Sequence, residues 1–191
     1  MPENRQVVIA SVPEGRLKAA DFEIRAGAIP ECGENQVLCR LLAVTIGAGQ
    51  RAGLQGSASY AGAPVAGVVM GGTGVAQVEI SRAEGFNPTD LVVAPTGWQD
   101  YSVHAAKSLR LVEPGTDPAL HLGVFGTNGL TAYFGLLEVG QPQSGETVVV
   151  SAAAGSVGHI VGQIAKLRGC RTVGVAGSEE KCRVLVDELG F

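Results

Sequence analysis

The chain has 191 residues, 46% of them apolar and 17% charged, which is enough for one large or two small cored domains and too apolar for disorder. Its net charge is -4, and its Lys and Arg residues are neither abundant nor clustered. That excludes a nucleic-acid footprint and makes a small molecule the expected partner.

Residues 1–20 carry charges at Glu3, Arg5, Glu14, Arg16 and Lys18, and no apolar run reaches the roughly 18 residues of a membrane span. The expectation is a cytoplasmic protein with no membrane partner. The four cysteines, Cys32, Cys39, Cys170 and Cys182, fit no metal-ribbon spacing. They are expected to be reduced, half-buried structural thiols.

In chain order, the runs 6–10, 36–44, 64–70, 74–80, 91–94 and 101–104 are β-rich and separated by Gly, Pro and polar clusters. The 28 glycines are too dispersed for a linker. Short strands with frequent turn signals predict a mostly antiparallel barrel or sandwich. After Pro114 the period changes: Leu130, Tyr133, Phe134 and Leu137 predict a helix over 129–138, capped by Thr127 or Asn128 and ended by the loop 140–145.

Thr147 to Ser151 is a β-branched run without alternation, the pattern of a strand covered on both faces of a parallel sheet. A helix follows in which Val157, Ile160, Val161, Ile164 and Ala165 share one face. Lys166 and Arg168 complement its negative end, and Gly169 stops it. Residues 171–176 form a second predicted strand. Ser178 then caps a helix with Cys182, Leu185, Val186 and Leu189 on its apolar face, closed by Gly190. The order is βαβα, one right-handed parallel crossover. Two parallel strands leave edges and faces open, so the chain is expected to be part of a longer protein whose third strand begins near Phe191. Completion of the sheet by a partner chain or an earlier strand is the alternative.

The join Ala152-Ala-Ala-Gly-Ser-Val-Gly158 departs from GxGxxG by having Ala153 at the first Gly, but it sits between a predicted strand and a predicted helix. Gly155 lets the backbone approach a pyrophosphate, the N–H groups near Ser156 and Val157 point at phosphate oxygens, and Gly158 lets the helix pack against the strand. A merely structural small-residue turn is the competing reading. At the end of the second strand, Ala176-Gly177-Ser178 stands where NAD-binding proteins keep an acidic residue. Lys181 offers a cation to a 2′-phosphate, which favours NADP, although Glu179 and Glu180 beside it weaken the charge argument. His104, His121 and His159 form no metal-binding pattern, and there is no GxSxG elbow. The chemistry therefore points to hydride transfer.

The segments 126–139, 148–158, 161–166 and 173–181, with 89–93 and 97–103 upstream and more faintly 66–78, resemble the zinc-independent medium-chain reductases of the alkenal double-bond and prostaglandin reductase group. The resemblance implies a GroES-like β-barrel over 1–122, followed over 123–191 by the first βαβα part of a Rossmann domain, a doubly wound parallel sheet, with NADPH between the two. It also implies that Gly155, Ser156, Val157 and Gly158 hold the pyrophosphate, Lys181 meets the 2′-phosphate beside Ala176, Gly177 and Ser178, and Thr131 lies near the nicotinamide. The reaction implied is hydride delivery to the β-carbon of an α,β-unsaturated carbonyl, followed by protonation at the α-carbon. Members of the group often carry a D-P-x-x-R-like segment, some with a tyrosine before the Arg. Here Gly47-Ala-Gly-Gln-Arg51 keeps Arg51 and has Gly49 at the tyrosine position. Arg51 and Tyr60 are the candidate catalytic residues, with Tyr101 the other barrel tyrosine. A quinone reductase of the same fold and a non-catalytic nucleotide-binding protein are the alternatives, and a homodimeric full-length form is left open.

Overall fold

In the computed structural model, which describes residues 3–57, 65–113 and 115–191, the β-rich runs build a first unit, Met1–Ala119, and the βαβα pattern a second, Leu120–Phe191. The first unit contains β1 (Asn4–Ile9), β2 (Phe22–Gly27), β3 (Gln36–Val44), α1 (Ala48–Leu54), β4 (Gly74–Ser81), β5 (Leu91–Ala94), β6 (Tyr101–Ala105) and β7 (Arg110–Leu111). Strands β6-β3-β4-β5-β7 form one antiparallel sheet, and β1 pairs with β2 in another. Alternation along β3 and β4 turns Val37, Cys39, Ala76 and Val78 to one face, where they enclose Val92 of β5 with no more than 1% exposure. A second core gathers Ile9, Leu54 and Met70 under Trp98.

The two sheets are stitched together through short bridges. Val7 N–H donates to Trp98 O at 2.8 Å, Asp100 N–H to Arg5 O at 2.9 Å, and Leu41 N–H to Asp100 O at 2.8 Å, so the segment before β6 touches both. The predicted strand 64–70 is not one: its described part, 65–70, is a turn with a single bridge between Val69 and Val8. Gly67 sits at φ +82°, which breaks the extended run, and the described part is tied to β1 by three backbone bonds. The result is sheet-rich, but among the described residues no continuous ladder closes a barrel.

The second unit follows the short α2 (Pro118–Leu122) and contains α3 (Thr127–Phe134), β8 (Thr147–Val150), α4 (Gly158–Leu167), β9 (Arg171–Gly174) and α5 (Glu179–Arg183). Strands β8 and β9 are parallel, with Val150 opposite Gly174. The expected cap for 129–138 is corrected: Gly126 occupies the N-cap, so Thr127 and Asn128 are already helical, and α3 widens into an i→i+5 turn over Gly135–Gly140. Gln141, at φ +47°, ends it. Gly169 at φ +79° and Gly190 at φ +70° are the stops that the sequence predicts.

Burial corrects two further expectations. Strand β8 is covered on one face: Val148 and Val150 pack against Val161 and Leu185, whereas Val149 is 65% exposed. An uninterrupted apolar run shows that a strand can be buried twice, but it takes a second layer to do it. Of the thiols, Cys32, Cys39 and Cys170 are buried and Cys182 is exposed: α5 buries none of its residues, and the inward contact is made by Leu185 in the i→i+5 turn Val184–Glu188 that continues it.

Candidate functional site

The glycine turn is organised around one carbonyl. Ala152 takes φ +48°, a left-handed conformation uncommon outside glycine, and its oxygen accepts the Gly155 N–H at 2.8 Å. A Cβ at residue 155 would lie 3.0 Å from that oxygen, and one at residue 158 would lie 2.5 Å from it and 2.9 Å from Ala153 Cα. Residue 158 is therefore glycine for want of space, and a side chain at 155 would crowd the same carbonyl. Ala153 itself is fully buried, and a Cβ at Gly174 would fall 2.9 Å from the Ala153 Cβ. The room that the fingerprint takes from its first glycine is supplied here by a glycine on the neighbouring strand.

Val157 is the N-cap of α4 and has no side-chain acceptor. Among the described residues, the backbone N–H groups of Ser156, Val157 and Gly158 donate to no protein group. The turn thus presents orphan donors at the positive end of a ten-residue helix, the arrangement that receives an anion. His159 Nδ1 lies 2.8 Å from Gly155 O. A carbonyl can only accept, so that nitrogen carries the proton and ties the oxygen down on the helix side. Sequence reasoning missed this contact, whose signal is the spacing of four between Gly155 and His159.

The second half of the site lies at the same end of the parallel pair. Val175 N–H donates to Val150 O at 2.9 Å and Ala153 N–H to Val175 O at 3.0 Å, so the glycine turn and the loop Ala176-Gly177-Ser178 emerge side by side from the carboxyl ends of β8 and β9. This is the edge at which open α/β sheets bind ligands. Ser178 caps α5 as expected, with its Oγ accepting the Lys181 N–H at 3.3 Å. That fixes the turn from which the exposed Lys181 projects. Thr131 is exposed on α3, and its hydroxyl donates to Thr127 O at 2.7 Å. The donor set at the turn, the glycines that a Cβ would block and a strand end without a carboxylate fit a dinucleotide bearing a 2′-phosphate.

In the first unit, Arg51 and Gly49 lie on α1, a helix that sequence reasoning did not find. Arg51 is exposed, and its Nε donates to Gln55 Oε1 at 3.3 Å. Tyr60 lies outside the described residues. Tyr101 is half-buried on β6, where its backbone N–H is held by Asn4 Oδ1 at 2.8 Å. Beside α1 is a groove of about 500 Å³ lined by Gln50, Gly71, Gly72, Thr96 and Gly97 among others.

Cys39 and His104 are occupied structurally. Burial pushes the Cys39 thiol up to about 11, with Cys32 adding to the shift, which keeps it protonated and inert. His104 Nε2 lies 2.8 Å from Ser102 Oγ, and burial lowers the His104 pKa. No cluster of three or more His, Cys, Asp or Glu side chains suited to a metal occurs among the described residues.

The chain is similar to known oxidoreductases. A family model described as the N-terminal domain of oxidoreductase matches residues 5–112. The chain is 42% identical over 190 residues to the NADPH-dependent curcumin reductase of Escherichia coli, covering 98% of this chain and 55% of that protein. It is 43% identical over 166 residues to prostaglandin reductase 1 of Bos taurus, covering 85% and 48%. The crystal structure of CurA in complex with NADPH from Vibrio vulnificus superposes with a TM-score of 0.90 at 40% identity, over 98% of this chain and 56% of that one. The chain spans about half the length of the curated relatives it matches. The fold is accordingly the GroES-like unit followed by the opening part of a Rossmann domain. The chain belongs to the medium-chain dehydrogenase/reductase family, within its alkenal double-bond and prostaglandin reductase group.

Proposed function

We propose that this protein takes part in NADPH-dependent reduction of the activated C=C bond of α,β-unsaturated carbonyl compounds. The observation that carries the reading is the Ala152–Gly158 turn, with a space-forced glycine at 158 and three orphan N–H donors at the carboxyl edge of a parallel strand pair. Bound there, the dinucleotide supplies a hydride. Gly155 to Gly158 hold its pyrophosphate, Lys181 and the Ala176–Ser178 loop receive the 2′-phosphate, and Thr131 lies toward the nicotinamide. Relatives named as an NADPH-dependent reductase and a prostaglandin reductase support the cofactor and the substrate class.

Hydride arrival at the β-carbon moves the C=C electron pair toward the carbonyl and builds charge on its oxygen, which a positioned donor stabilises. Arg51 is proposed as that donor. A guanidinium stays charged and keeps its proton, so it holds the enolate while the α-carbon proton comes from water. The reaction needs no zinc. Cys32, Cys39, Cys170 and the histidines at 104 and 159 are engaged with backbone or hydroxyl groups. The reading places the protein in the cytoplasm, with the exposed free thiol of Cys182 suited to a reducing compartment, and a homodimeric full-length form belongs to the same proposal.

The test is NADPH oxidation with an unsaturated ketone and, separately, with a quinone. Faster turnover per bound ketone supports the enone reading, and preference for the quinone replaces it with a quinone reductase. NADPH binding without turnover of either would leave only a nucleotide-binding protein.

A further inference from the structure

Helix α1 starts without a side-chain cap, because its N-cap is Gly47. The third helical residue fills the gap: Gln50 Oε1 accepts the Gly47 N–H at 2.6 Å. The other end of the same amide donates from Nε2 to Gly71 O at 2.6 Å. A donor on one side and a carbonyl on the other fix which amide atom is which. One side chain thus caps the helix and ties it to the glycine segment that walls the groove.

That segment is tightly bound on its other sides. Thr45 N–H donates to Thr73 O at 2.9 Å, and Gly97 N–H donates to Gly72 O at 3.0 Å. A Cβ at Gly72 would meet Val44 Cγ2 at 2.9 Å and Gln50 Nε2 and Trp98 Cδ1 at 3.0 Å each. The groove wall therefore has no slack where Gln50 docks. At its far end α1 is held by Leu54 in the core with Ile9 and Met70, and by Gln55 Nε2, which donates to Gly15 O at 2.5 Å. Arg51, one residue beyond Gln50, has no direct tie to the groove wall and takes its position from these anchors.

We propose that Gln50 is a positioning residue for the reaction: its amide clip between Gly47 and Gly71 fixes α1, and with it the place from which Arg51, the residue proposed above to meet the carbonyl oxygen, projects. The role rests on the reductase reading above. In the intact protein, Gln50→Met keeps the length of the side chain and removes both hydrogen bonds. It is expected to raise KM for an unsaturated ketone about tenfold while KM for NADPH holds, the scale of a small misplacement of a binding group. Amide exchange of residues 47–54 should quicken about tenfold, as loss of the two bonds implies.

A double-mutant cycle separates positioning from simple support. If Gln50 acts through Arg51, the double variant Gln50→Met with Arg51→Ala is no worse than Arg51→Ala alone. Gln50→Glu keeps the acceptor for Gly47 but faces Gly71 O with a carboxylate, so it should raise KM in the same way even where Gln50→Met folds poorly. Additive effects, or a lowered Tm with both KM values unchanged, overturn the positioning role and leave Gln50 a helix cap. Absence of ketone turnover in the unmodified protein overturns the reductase reading itself.

Discussion

Gly158 shows how a single residue can serve packing and binding together. Ala152 O occupies the place that its Cβ would need, so any side chain pushes α4 away from the turn whose N–H groups face the ligand. Gly158→Asp adds both that displacement and a carboxylate beside the pyrophosphate. NADPH affinity should fall by at least about tenfold, the scale of one lost charge-assisted contact. Equal affinity in fluorescence titrations of the variant and the parent would show the turn to be only structural.

His104 gives a residue-scale prediction in pH. Burial lowers its pKa in the folded chain, so the unfolded chain binds a proton more readily as the pH falls below about 6.5. The stability conferred by neutral His104 is fully present above that value and is lost as the pH drops through the folded pKa. Tm measured from pH 7.5 downward should decline across that window, and His104→Gln should remove that part of the decline. An identical slope in both proteins would assign the acid limb to other groups. Arg5 and Asp100 contribute at lower pH: the hydrogen bond from Arg5 holds the Asp100 carboxyl below its ordinary value, so this contribution is lost as acid protonates Asp100.

Among the elements, legibility followed burial. Strands β3 and β5 run over 36–44 and 91–94 as predicted, because they are apolar runs bounded by turn residues and Val37, Cys39 and Val92 within them face a core. Strand β2, FEIRAG, was missed: Ile24 is 77% exposed, and Glu23 pairs with Arg25 on a strand that, among the described residues, pairs only with β1, so its pattern is that of a protected edge. Helix α1, AGQRAGL, has poor intrinsic propensity and exists through Gln50 and Leu54, contacts that lie far away in sequence. Leu54→Ala should cost about 2–5 kcal/mol by emptying a buried site, read by denaturation followed through Trp98, which packs on the same cluster. A change under about 0.5 kcal/mol, the range of surface substitutions, would mean that Leu54 does not anchor the helix.

At the scale of the whole molecule, each unit has its own cores: those around Val37 and Ile9 in the first, and those around Leu136 and Val150 in the second. Trp98 is the sole tryptophan and belongs to the first unit. Fluorescence should therefore follow that unit alone, while far-UV circular dichroism follows both, giving transitions that do not coincide. Added NADPH should raise the dichroism midpoint more than the fluorescence midpoint. A single shared transition would show that the two units unfold as one.

The sequence by itself determined the strand-turn-helix at 147–167, the neutral end of β9 and the family resemblance, because each rests on local spacing: β-branched runs, small residues at fixed offsets and helix stops. Only the tertiary structure decided why Ala153 is tolerated, which face of β8 is covered, that Cys182 is exposed and that Gln50 clips α1 to the groove. Those depend on which atoms from distant parts of the chain share one volume: the Cβ of Ala153 against Gly174, or an amide set between Gly47 and Gly71. Spacing along a chain carries no record of that meeting, which is fixed only when the backbone is packed.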